Sequence, residues 1–166
     1  MKLILIRHAS AEDRDSQRWP DDAQRPLTQR GMRRFRESAH GLATLEPEID
    51  VLISSPLVRA HQTATILESE IGYPAPRLEP HLAAGSPTAG AVALLSREQR
   101  LHTVALVGHE PDLSLLLGAL IGVGAAPAVD WRRGGAALVE FEQELRPAAG
   151  WLRWFITPRI LRSLAD

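Results

Sequence analysis

Leu3-Ile4-Leu5-Ile6-Arg7-His8-Ala9 is the stretch on which the reading of this chain turns. Its four leading apolar residues form a short continuous run, the pattern of a strand buried on both faces of a parallel sheet. The run delivers Arg7 and His8 straight into a polar loop. In open α/β sheets, ligands bind just beyond the carboxyl ends of such strands. A second apolar run, Thr103-Val104-Ala105-Leu106-Val107, ends the same way in Gly108-His109-Glu110. Two histidines from distant parts of the chain are therefore expected at one sheet edge.

Working outward, residues 10 to 26 are polar and aperiodic, which predicts a long loop over that edge. Thr28 reads as an N-cap, and Met32, Phe35, Ala39, Leu42 and Leu45 recur at helical spacing, so a helix is expected over about 28–45. Its other face carries Arg30, Arg33, Arg34 and Glu37. Val51-Leu52-Ile53 predicts a second strand ending in Ser54-Ser55-Pro56, followed by a helix over 57–71 that stops at Gly72. A brief extended segment is expected within 74–80, a helix from Pro87 to about Ser96, and a helix from Pro111 to Ile121 with Pro111 in its first turn. Gly134 to Phe141 and Trp151 to Thr157 read as an antiparallel hairpin that Pro158 ends. Strands alternating with helices, then a terminal hairpin, predict a three-layer α/β/α sandwich with a mostly parallel central sheet. Without repeats, low-complexity tracts or linkers, residues 1–166 are expected to form a single domain.

The bulk numbers agree with an ordinary globular protein. A chain of 166 residues, 45% hydrophobic and 23% charged, can bury roughly 70% of its unfolded surface. The absence of cysteine excludes disulfides, thiolate metal sites and cysteine nucleophiles, and favours a reducing compartment. A formal net charge of −1 offers no bulk attraction to nucleic acid or to anionic membranes, so any anion site must be local. The apolar N-terminal run is too short for a signal or membrane segment, and a cytoplasmic protein is expected.

Arg7-His8, Ser54 through Arg59, the loop from Asp13 to Arg25 and Gly108-His109-Glu110 all point at one sheet edge. Two arginines supply forked donors suited to phosphate oxygens, and two histidines can act as nucleophile, proton carrier or anion ligand near neutral pH. Preorganised donors aimed at the equatorial oxygens provide most of what phosphoryl transfer requires. Each piece alone has a plainer reading: a surface pair, a capping histidine, a solvated arginine. Their joint occurrence at successive strand ends favours the phosphoryl site.

In these motifs the chain resembles the histidine phosphatase superfamily, the phosphoglycerate mutase-like proteins, and within it the small SixA-like phosphohistidine phosphatases. The resemblance rests on Leu5-Ile6-Arg7-His8-Ala9, Arg25-Pro26-Leu27-Thr28-Gln29-Arg30-Gly31, Ser54-Ser55-Pro56-Leu57-Val58-Arg59-Ala60-His61-Gln62-Thr63-Ala64 and Val107-Gly108-His109-Glu110-Pro111. It implies a phosphatase without metal or other cofactor, in which His8 attacks phosphorus and is transiently phosphorylated. Arg7, Arg59, His109 and Gly108 would line the phosphoryl site, with a protonated His109 as a further donor. Water would then hydrolyse the phosphohistidine intermediate.

The resemblance implies a general acid without settling which. Asp22 is the best positional match in the loop before the Arg-Pro-Leu-Thr segment, with Asp21 and Glu12 behind it, and Glu79 and His81 the alternatives further along. A departing imidazole needs little help, since its conjugate acid has a pKa near 6.5, which favours phosphohistidine on a signalling or phosphotransfer protein as substrate. A small phosphomonoester, or a catalytically quiet phosphate-binding module, remains the alternative. His40, His61 and His102 are expected to be structural or surface residues. Trp151, Trp154 and Phe155 are expected to pack in the core and hairpin.

Overall fold

The computed structural model describes residues 1–124 and 129–165. Its centre is a six-stranded sheet in the order β3-β2-β4-β1-β5-β6, built from β1 (Lys2–Arg7), β2 (Val51–Ser54), β3 (Arg77–Leu78), β4 (Thr103–Gly108), β5 (Ala136–Glu140) and β6 (Trp151–Ile156). Strands β1 to β4 pair in parallel, whereas β5 runs antiparallel to β1 and forms a hairpin with β6. The expected mixed α/β sandwich is the fold observed, with its mostly parallel sheet and terminal hairpin.

Alternation along β1 explains the three layers. Ile4 and Ile6 face a core with Phe35, Ala39 and Leu42 of α1 (Gln29–Leu45), Ala60, Ala64 and Leu67 of α2 (Val58–Ile71), and Leu161. Leu3 and Leu5 face the opposite core, with Leu94 and Leu95 of α3 (Thr88–Arg97) and Leu113, Leu116 and Leu117 of α4 (Asp112–Ile121). A strand apolar on both faces is what a covered parallel sheet demands. Among the described residues, no helix is long and apolar enough to cross a membrane.

Two features depart from the sequence expectation. Pro158 does more than end β6: it is the first residue of a further short helix, α5 (Pro158–Ser163), which packs against α1. Proline is favoured at that first helical position, but six residues are too few to display a helical period. Trp151 is 60% exposed and lies outside the core. Trp151 is the first residue of β6, opposite Glu140 at the end of β5, whereas Trp154 lies opposite Leu138 further in. Trp154 and Phe155 are part-buried against opposite cores, Phe155 edge-on to Trp131 with centroids 5.0 Å apart.

Candidate active site

Strands β1 and β4 are neighbours in the register Arg7 opposite Gly108, so the residues that follow them emerge side by side. The His8 amide donates to the Gly108 carbonyl at 3.1 Å, extending the ladder into the site. The His8 and His109 rings come to rest 5.1 Å apart between centroids, inclined at 55°. Both side chains are buried.

The arginines are held as firmly. The Arg7 guanidinium donates to the Trp131 carbonyl. The turn at Gly134, with φ +82°, donates its amide to the Arg7 and His8 carbonyls at 3.0 and 3.1 Å. A left-handed residue there is natural only for glycine. Arg59, in the first turn of α2, is 3% exposed and donates through Nη1 to the Asp22 carbonyl at 2.8 Å. Its Nη2 lies 3.1 Å from Asp22 Oδ2, while Arg25 Nε donates to Asp22 Oδ1 at 2.7 Å.

Side chains of α2 fix the loop after His8. Thr63 Oγ1 accepts the Ala9 amide at 3.0 Å and donates to the Arg59 carbonyl at 2.7 Å, and Gln62 Oε1 accepts the Leu27 amide at 2.8 Å. Gly31 permits the approach of α1, since a Cβ there would lie 2.1 Å from the Ser10 carbonyl oxygen.

Hydrogen bonding sets the tautomers. His8 Nδ1 lies 2.7 Å from the Ala9 carbonyl, an acceptor, so Nδ1 carries the proton and Nε2 keeps a free lone pair. Burial first, then the neighbouring His109, pushes the His8 pKa down to about 3. His109 Nε2 lies 2.8 Å from Ser55 Oγ, which also accepts the Leu57 amide at 3.3 Å and can turn its own O–H toward the ring. With Nε2 accepting that O–H, the His109 proton sits on Nδ1, a buried atom with no protein acceptor. Burial, with Arg59 and Arg7 next, lowers the His109 pKa to about 3. Burial and the two guanidinium groups thus favour a neutral ring over the expected imidazolium.

Arg7 Nε and Arg59 Nε are likewise buried without an acceptor. Three buried donors around one pocket of about 170 Å³, which also takes in His8, suit an oxyanion. Burial lowers the pKa of both arginines from the ordinary value, although guanidinium stays charged at neutral pH.

The candidate acids separate clearly. Asp22 lacks the setting of a proton donor: its hydrogen bond from Arg25, together with Arg59 and Arg14, holds its carboxyl below the usual range and hence ionised. Asp21 accepts the Ala23 amide, and Glu79 accepts the His81 amide in a short turn; neither they nor His81 line the pocket. Glu12 does line it, as do Asp13 and Glu110, which were expected at this edge but not as acids. The Glu110 carboxylate is occupied by the Ser114 amide and hydroxyl at 3.1 and 2.7 Å.

Ser55 stands in the Ser54–Arg59 segment expected at the site, whereas Trp131 and Arg133 were not expected there. Those two lie in a loop whose approach to Arg7 no local pattern signals. His40, His61 and His102 lie outside the pocket, and His61 is exposed. A larger cleft of about 670 Å³ adjoins the pocket and shares Arg7 and Arg133 with it.

The sheet order and the covering helices define a phosphoglycerate mutase-like α/β protein. Residues 3–84 match the model of the histidine phosphatase superfamily, branch 1, and the chain belongs to that superfamily. An uncharacterized protein of Picosynechococcus sp. is 37% identical over 115 residues, 68% of each chain. The fold is similar to that of the protein histidine phosphatase SixA, solved with tungstate, at TM-score 0.84 and 23% identity over 97% of this chain and 99% of that one. It is also similar to the alpha-ribazole phosphatase of Shigella flexneri, at TM-score 0.71 and 21% identity over 95% and 97% of the two chains.

Proposed function

We propose that this chain is a phosphatase that works through a phosphohistidine intermediate on His8, with phosphohistidine in a protein as its substrate. The observation that carries the reading is the His8 ring, whose Nδ1–H is committed to the Ala9 carbonyl so that a neutral Nε2 meets the buried donors of Arg7, Arg59 and His109. In the first step Nε2 attacks phosphorus and a P–Nε2 bond forms as the bond to the leaving imidazole breaks. The leaving nitrogen takes its proton from solvent. In the second step water attacks the same phosphorus, the P–Nε2 electrons return to His8, and inorganic phosphate departs. Arg7, Arg59 and the Nδ1–H of His109 hold the oxygens in both steps, where such fixed donors act most strongly.

The absence of a free, raised carboxyl from the Asp22 position fits a leaving group that needs little protonation. The likeness to a SixA phosphatase supports a protein substrate, while that to an alpha-ribazole phosphatase keeps a small ester as the competing class. The test compares turnover of a phosphohistidine peptide, an aryl phosphate and an alkyl phosphate by wild type and His8→Ala. Acid-labile phosphate trapped on wild type and more than about a 10⁴-fold loss in His8→Ala are expected. Retained turnover in the variant overturns the mechanism, and preference for the alkyl ester overturns the substrate. No turnover and no trapped phosphate in wild type would leave a phosphate-binding module.

A further inference from the structure

We infer that the cleft beside the phosphoryl pocket is a docking groove for an acidic peptide segment flanking the phosphorylated side chain of a protein substrate. This rests on the proposed phosphatase reading and adds to it the character of the partner. The cleft lies between α1, the turn before β5 and α5, and draws Arg34, Arg133, Arg159 and Arg162 from those three places. Among the described residues, Arg34, Arg133 and Arg159 have no ion-pair partner, and Asp130, already bridged to Arg132, is the one carboxylate in the lining. Arg162 lies 3.6 Å from Glu37. On a chain of net charge −1 this is a local concentration of positive charge.

Its placement narrows the occupant. Because Arg7 and Arg133 border both the cleft and the pocket, a chain whose phosphorylated side chain enters the pocket can lay its neighbouring residues along the arginines. At about 670 Å³, the cleft is several times larger than the phosphoryl pocket, and the guanidinium groups come from three separate elements. Such spacing suits several carboxylates along a peptide better than one compact anion. The aromatic residue in the lining, Phe35, is buried, so the groove lacks the exposed stacking platforms that single-stranded nucleic acid uses.

The experiment uses peptides in which a central phosphohistidine is flanked by glutamates or by glutamines, with wild type and an Arg34→Ala/Arg159→Ala variant. Both replaced side chains are exposed and stand outside the phosphoryl pocket, and circular dichroism verifies the fold. In wild type, kcat/KM is expected to favour the acidic peptide by roughly tenfold at low salt, shrinking as salt screens the groove. The double variant is expected to lose most of that preference through KM while hydrolysing a small aryl phosphate at the wild-type rate. Equal kcat/KM for the two peptides in wild type, or a preference untouched by the variant, overturns the inference. So does a variant that loses turnover only of a small bis-anionic phosphomonoester, or wild type in which an oligonucleotide displaces the acidic peptide. Anisotropy of a labelled acidic peptide with glutamine at the central position reads docking without chemistry. Binding that the variant weakens supports the groove even where no substrate turns over, and absence of binding overturns it.

Discussion

Arg59 and Arg159 carry the same guanidinium in opposite surroundings. Arg59 is buried, fixed by the Asp22 carbonyl and carboxylate, and tied through α2 to the loop after His8. Arg159 is exposed on a short helix and has no ion-pair partner among the described residues. A desolvated cation is costly to keep and strongly felt by any anion that reaches it, whereas an exposed one is cheap, screened by salt and worth on the order of 0.2–1 kcal/mol per contact. On the proposed reading the pocket discriminates by geometry and the cleft by accumulated charge.

That contrast can be broken most severely at Arg59. Arg59→Ala should lower kcat/KM by about 10³-fold and change little with salt, as expected for loss of a preorganised donor, and steady-state kinetics across a salt series checks it. A salt-dependent loss of a few-fold would instead put Arg59 in the same class as the cleft. Acidification should reveal the strain of keeping two neutral histidines among cations. Folded, both bind protons only near pH 3, while in the unfolded chain they do so near 6.5. Between these values the unfolded chain holds more protons, so stability falls as pH falls from 6.5 toward 3, by up to about 1.4 kcal/mol per pH unit for each histidine. Denaturant unfolding across that range should show the slope, and His109→Phe should flatten it.

Ser55→Ala is expected to cost about tenfold in kcat with little change in KM, since the tautomer of His109 would no longer be fixed. A KM effect alone would assign Ser55 to packing. Asp22→Asn should have the smallest effect, about threefold in kcat/KM, because its carboxylate is half-exposed and its carbonyl still holds Arg59. A collapse of kcat on alkyl phosphates but not on phosphohistidine would restore Asp22 as an acid.

Much of this arrangement was legible in the sequence, and for identifiable reasons. The two strands ending in His8 and His109 are apolar on both faces, so a covered parallel sheet followed directly, and parallel neighbours bring like ends together. Arg59 was legible from its motif at a helix start. The protonation of His109 was not, because it depends on Ser55 and on two guanidinium groups that only tertiary structure assembles. Asp22 stands where the loop position places it, but the approach of Arg25 and Arg59, which favours its ionised form, has no local signal. The exposure of Trp151 follows from its place at the start of β6, opposite Glu140 at the end of β5, which its apolar character does not encode.

The amide of Gly134 clasps the carbonyls of Arg7 and His8, and the carbonyl of Trp131 holds the Arg7 guanidinium. His8 is thus synthesised well before the residues that secure it. A chain emerging from the ribosome carries His8 through more than a hundred residues of growth before β4 and the turn at Gly134 can close around it. A fragment ending before residue 131 should therefore fail to bind inorganic phosphate.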